Sequence, residues 1–203
     1  MSLPDYYERI FNELEKNDPI QASLENLAFW ADGRNPDLRW LKLPAMLGAD
    51  EQELAQAWFS AEVANMDNIH SFSVLYFSLR EFKDIAGREF SDVGLVVYPT
   101  ASDSWPSSRD CLYSKSDLSS RYLRNIGAVC NGNSRPNYLS SDGYVGFSLC
   151  YVSLLARELC KSELILRYSD INPIKVAVGY TSGDILEIMN ISSGSISYVR
   201  QYA

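Results

Sequence analysis

Apolar positions recur along the first third of the chain at steps of three and four, the spacing that aligns one face of a helix. Tyr7, Ile10, Phe11 and Leu14, with Pro4 and Asp5 in first-turn positions, predict an amphipathic helix over 4–16 that Asn17 and Asp18 end. Pro19 opens a second helix whose apolar side is Ile20, Leu24, Leu27, Ala28 and Ala31, closing at Gly33. Asn35 before Pro36 repeats the cap-then-proline signature for a short helix through Trp40 and Leu41, interrupted at Pro44. Asp50 and Glu53 form a D-x-x-E variant of the capping box. Leu54, Ala57, Trp58 and Ala61 supply the inward stripe of a fourth helix ending near Ala64.

The period changes at Ser71. SFSVLYFSL is a β-branched and aromatic run that reads as a buried strand, and VGLVVY at 93–98 makes a second, stopped by Pro99, with Gly87 and Asp92 bracketing the loop between them. Residues 100–120 form the longest loop, in which eight of the twenty residues from 101 to 120 are serine. Asp117 is placed to cap a helix carrying Leu118, Tyr122, Leu123 and Ile126 and ending at Gly127, and a further helix falls at 148–161. Beyond it ELILRY, IKVAVGYT, ILEIMNI and ISYVRQY read as strands, the last three forming an antiparallel meander around turns at Gly183 and Gly194. The pattern as a whole predicts the α+β class, an N-terminal helical third packed on a mostly antiparallel sheet with a C-terminal β-meander. At 203 residues one domain spans the chain, with 1–66 an acidic helical subdomain and 71–203 a mixed sheet region.

Charge sharpens this division. Residues 1–70 hold 5 Lys or Arg against 13 Asp or Glu, whereas residues 71–203 hold 13 of each, so the net charge of −8 is entirely N-terminal. A one-signed surface repels phosphate backbones and speeds encounter with a basic one. Nucleic acid is therefore not expected as a partner. A helix-turn-helix reading of LKLPAMLGADEQELAQAW fails for the same reason, since the second helix carries Asp50, Glu51, Glu53 and Glu62 and no base. The opening MSLPDYYERI lacks the basic stretch and apolar run of a secretory signal, and no window holds 18 uninterrupted apolar residues. The expectation is a cytoplasmic protein without a membrane partner. Cys111, Cys130, Cys150 and Cys160 stand 19, 20 and 10 residues apart with one histidine, His70, in the chain. That is not zinc spacing, and reduced thiols with no metal and no cofactor are expected.

The string VGFSLCYVSLLAREL at 145–159 resembles the nucleophile elbow and following helix of α/β hydrolases, with Ser148 in the nucleophile position. The resemblance covers fifteen residues. Cys150 replaces the second glycine of G-x-S-x-G, and no histidine follows Ser148, where that fold places its base. The residues predict instead a buried helix with Leu149, Val152, Leu155, Ala156 and Leu159 inward. His70, at a helix-to-strand junction, reads as a structural residue and not as base to a cysteine.

Two functional readings follow. In the first, the chain is a non-enzymatic interaction protein that binds or neutralises a basic protein through its acidic helical face, at Asp50, Glu51, Glu53, Glu62 and Trp58. Toxin-neutralising immunity proteins are a functional analogue. In the second, an enzyme or small-ligand binder holds an anion in the region 99–144, using Arg109, Arg121, Arg124 and Arg135 with Trp105. The missing catalytic motifs favour the first.

Overall fold

The organising element of this fold is a central, mostly apolar helix that is buried around nearly all of its circumference. The computed structural model describes residues 2–65, 72–83, 89–98, 111–130, 141–181, 183 and 185–202. In chain order these form α1 (Leu3–Lys16), α2 (Ile20–Arg34), α3 (Arg39–Lys42), α4 (Glu51–Asn65), β1 (Val74–Lys83), β2 (Glu89–Tyr98), β3 (Leu112–Tyr113), α5 (Arg121–Cys130), α6 (Ser141–Leu159), α7 (Glu163–Ser169), β4 (Ile174–Tyr180), β5 (Ile185–Ser192) and β6 (Ser195–Tyr202). Leu149, Val152, Leu155, Ala156 and Leu159 of α6 are buried as the spacing predicts, but so are Ser148, Cys150, Tyr151, Ser153, Leu154 and Arg157 around the rest of its circumference. Helices α1, α2, α4 and α5 pack on α6, and α6 packs in turn on β1 and β4.

The sheet is mixed, in the order β3-β2-β1-β4-β5-β6. β1 and β2 form an antiparallel hairpin, β1 and β4 run parallel at the centre, and β4, β5 and β6 make the antiparallel meander. This is an α+β fold. Two consecutive residues with positive φ, Ser193 at 49° and Gly194 at 70°, close the last hairpin, the backbone combination that matches strand twist. A bulge opposite Val176 and Ala177 lets both Ile188 and Met189 of β5 remain buried while Glu187, paired with Lys175 at 3.3 Å, takes the reverse face. Leu75, Phe77 and Leu79 of β1 face the helices. The alternate positions Val74 and Tyr76, with Val96, Tyr98 and Ala177, form a second buried cluster on the reverse face.

Packing of the helical third follows from aromatic side chains. Trp40 is fully buried, stacks on Phe147 of α6 at 5.4 Å, and donates its indole N–H to the Asn35 carbonyl. Tyr6 meets Trp30 edge-on at 5.1 Å and lies against Gly146, where a Cβ would fall 2.3 Å from the ring. The glycine is what permits α1 and α6 to approach this closely.

Several sequence expectations shift. ELILRY is helical, within α7, because Ile165 and Ser169 fall on one buried face and Glu163 pairs with Arg167 across one turn; an isolated apolar hexamer does not distinguish the two periods. α5 begins at Arg121, after Asp117, because the Ser120 hydroxyl accepts the Leu123 N–H while Leu118 is still extended and bridges to Val93. It runs on through Gly127 to Cys130, and α6 begins seven residues before the expected start. β1 and β2 each extend to ten residues, placing Asp92 inside a strand, with Phe82 and Phe90 stacked at 5.7 Å near the hairpin end. The largest change is in α4, whose buried face is Glu51, Ala55, Phe59, Glu62 and Val63 and not the stripe of Leu54, Ala57, Trp58 and Ala61. Leu54 is half exposed.

Candidate functional site

The rotation of α4 has an electrostatic cause. Eleven residues, about three turns, separate Glu51 from Glu62, so both carboxylates lie on one face. That face is turned inward, and both side chains are buried. A buried carboxylate is tolerable only when donors replace its lost water. Glu51 accepts the Tyr122 backbone N–H at 3.1 Å on one oxygen, and the Ser120 and Tyr151 hydroxyls at 2.9 and 3.1 Å on the other. Glu62 accepts the backbone N–H groups of Lys115 at 2.7 Å and Ser116 at 3.1 Å, and the Ser116 hydroxyl as well. Between them Trp58 donates its indole N–H to the Ser116 carbonyl at 3.0 Å. With the acids held in this way, Phe59 reaches the sheet and stacks on Phe77 at 5.8 Å.

The expected solvated acidic face is thus divided. Glu51 and Glu62 are internal struts that fasten the segment between β3 and α5. Asp50 and Glu53 remain exposed, and Trp58 is half-buried. Charge-assisted hydrogen bonds at both ends of the segment fix its backbone from Lys115 to Tyr122. The serine-rich composition of that stretch supplies two of the hydroxyl donors.

Of the arginines in the alternative reading, the structure describes two, and Arg109, Arg135 and Trp105 lie outside the described residues, as does His70. Arg121 is largely exposed and stands 3.7 Å from Asp50, a surface pair of small energetic weight. Arg124 bonds the Ser119 hydroxyl and lies over the Phe90 ring, 5.1 Å from its centroid. Beside it burial raises the pKa of Asp92, opposed by the Arg124 charge. Arg80 pairs with Asp117 at 3.1 Å, which is why that carboxylate is not available to cap α5. The acids of α4 and two of the four arginines, Arg121 and Arg124, lie along the same stretch, since Arg121 meets Asp50 and Arg124 bonds Ser119 within the segment that Glu51 and Glu62 hold.

Much of the remaining N-terminal acid is also engaged internally. Arg200 of β6 reaches Glu15 at 2.6 Å and Glu8 at 3.6 Å. Glu13, fully buried, takes Arg9 and Lys16 at 2.8 Å each and the Asn26 amide at 3.1 Å. Asp37 is held below the usual carboxylate range chiefly by its hydrogen bonds from Arg39. What α4 presents outward is Gln52, Glu53, Leu54, Gln56, Ala57 and Ser60, a shallow face.

A cleft of about 360 Å³ opens where the first turns of α2 and α4 meet α6, and Glu51 and Tyr151 form part of its wall. Both Glu51 oxygens are already engaged, and burial raises the Tyr151 pKa, with the Glu51 charge adding to the effect. The arrangement therefore holds structure and is poorly suited to move a proton. Ser148 is fully buried in α6. Cys130, Cys150 and Cys160 are buried free thiols whose pKa values burial raises, that of Cys130 to about 12, and Cys111 is half-buried. Among the described residues no cluster of three His, Cys, Asp or Glu side chains is placed to hold a metal ion, and no helix is long and apolar enough to cross a membrane. No protein-family model, no curated protein and no solved structure matches the chain.

Proposed function

We propose that the protein is a non-enzymatic interaction module that docks a basic protein on the ridge formed by the outer face of α4 and the segment 111–121. The observation that carries this reading is the double strut. Glu51 and Glu62 hold the backbone from Lys115 to Tyr122, and Leu112 and Tyr113 are paired to β2, so a partner meets an already ordered surface and the entropy cost of ordering a loop on binding is reduced. The exposed side chains of α4 and of this segment include Leu54, Leu112 and Tyr113 together with Asp50, Glu53, Lys115 and Arg121, the mixture of apolar and charged groups that interfaces use. Asp50, Glu53 and Trp58 are the contacts retained from the acidic face, with Glu51 and Glu62 beneath them. The net charge of −8 makes a basic partner the one that long-range attraction favours.

A photo-crosslinking amino acid at Gln56, compared with one at Glu163 on α7, tests this in lysate of the source cells. The expected result is a basic protein captured from position 56 and not from 163, with capture lost in the Leu54→Arg and Tyr113→Ala variants and association slowed by added salt. Equal capture from both positions, or capture indifferent to both variants, overturns the reading.

A further inference from the structure

An open sheet ends in two edges, and this chain treats its two edges differently. β3, at one of them, is two residues long. β6, at the other, is eight residues long, and among the described residues no strand pairs with its outer side. An edge strand presents unpaired backbone N–H and C=O groups, and folds blunt it with charge, proline, bulges or brevity. In β6 such devices are confined to the second half. Tyr198 stands opposite Met189 and Gln201 opposite Glu187, so Val199 and Arg200 share the place opposite Ile188, which is a bulge. The Arg200 side chain is drawn to Glu8, Asn12 and Glu15 of α1. The first half, residues 195–198, carries no charge, no proline and no irregularity.

The hairpin fixes where the backbone groups of this half point. A two-residue turn at Ser193 and Gly194 makes Ser192 and Ser195 a hydrogen-bonded pair, and bonding alternates from there. Ser197 is therefore tied to Asn190, whereas the N–H and C=O groups of Ile196 and Tyr198 point away from β5. Ile196 and Tyr198 are half-buried against the helical core, and Ser195 and Ser197 are exposed. Such a segment matches a copy of itself. A two-fold axis through Ser197, perpendicular to the sheet, sets Ile196 opposite the partner's Tyr198 and Tyr198 opposite the partner's Ile196. The outward N–H and C=O groups of both residues then find partners, and each cross-strand pair joins a β-branched to an aromatic side chain on the core side. Arg200 falls opposite the partner's Gly194, outside the paired stretch, so no like charges meet. We propose that the protein forms a two-fold dimer by antiparallel pairing of residues 195–198, which joins two six-stranded sheets into one. β6 is the edge opposite β3 and shares no residue with the α4 ridge, so the two proposals stand or fall separately.

Sedimentation equilibrium, hydrogen exchange and disulfide trapping test the pairing. A reversible monomer–dimer equilibrium is expected, in which the Ile196 and Tyr198 amides gain protection as concentration rises while the Ser197 amide is protected throughout. Across the axis the two copies of Ser197 form a non-hydrogen-bonded pair with Cα atoms about 4.5 Å apart, within disulfide reach. In a Cys111→Ser background, Ser197→Cys should therefore cross-link under mild oxidation, whereas Ser193→Cys, opposite the partner's Gln201, should not. Ser197→Lys changes an exposed side chain, leaves the fold intact and sets two ammonium groups face to face, so dimer affinity should fall by about tenfold or more. A dimer indifferent to Ser197→Lys, or equal cross-linking from positions 193 and 197, overturns the proposal. A protein that stays monomeric up to millimolar concentration also overturns it, and leaves this edge to a strand from another protein.

Discussion

Replacing Glu62 by glutamine keeps the shape of the side chain and removes the charge from one of the two struts. In the native arrangement its oxygens accept two backbone N–H groups, from Lys115 and Ser116, and one hydroxyl. Glutamine retains one acceptor oxygen and turns an NH2 toward the other donors, so at least one backbone N–H loses its partner and faces another donor. Hydrogen bonds to charged groups contribute about 1.5–3 kcal/mol each, and a buried donor left unpaired costs about 1–3 kcal/mol. The segment lies near the surface, where water recovers part of this loss, and the net destabilisation is expected at roughly 2–4 kcal/mol. For a chain of this length each kcal/mol corresponds to about 2–4 °C, which places the fall in Tm between roughly 4 and 16 °C. Calorimetry reads the shift, and hydrogen exchange should localise it as lost protection at the Lys115 and Ser116 amides. Glu53→Gln, on the outer face of the same helix, should change stability by less than about 0.5 kcal/mol. A Glu62→Gln variant as stable as the Glu53→Gln control, with both amides still protected, would refute the strut and return Glu62 to the solvated face.

Gly146→Ala places a methyl group 2.3 Å from the Tyr6 ring, which is wedged between Trp30 and Phe147, so the helices must separate. A loss of about 1–3 kcal/mol or more is expected by denaturant titration, partly recovered when Tyr6 is shortened to leucine; additive effects would show that the two residues are not in contact. Burial raises the thiols of Cys130, Cys150 and Cys160, whereas Cys111 is half-buried. One equivalent of a thiol reagent should therefore react with the native protein, at Cys111, and four after unfolding; prompt native labelling of a second cysteine would contradict the packing around α6.

Local sequence determined a large part of this molecule. Helices α1 and α2 start and stop close to where proline, asparagine and the apolar spacing put them, because the period is unbroken and caps act within one turn. The meander from Ile174 to Tyr202 is equally local: three apolar runs, two short turns, and a Ser193-Gly194 pair suited to positive φ. Tertiary structure decided the rest. Nothing within β1 or β4 specifies that they run side by side and parallel, since that pairing joins segments separated by about a hundred residues through α5, α6 and α7. The orientation of α4 was likewise hidden. Its acids read as a solvated face until the backbone donors of residues 115–122 are brought against them, and the one signal pointing the other way was Phe59 and Val63, which the assumed stripe left outside. A charge belongs in solvent unless the fold delivers donors to it, and whether it does so depends on a segment more than fifty residues away along the chain. The buried hydroxyls of the core have the same origin. Ser91, Ser148 and Tyr180 lie far apart in the sequence, and only the register of β1 against β2 and β4, with α6 laid across them, makes them neighbours.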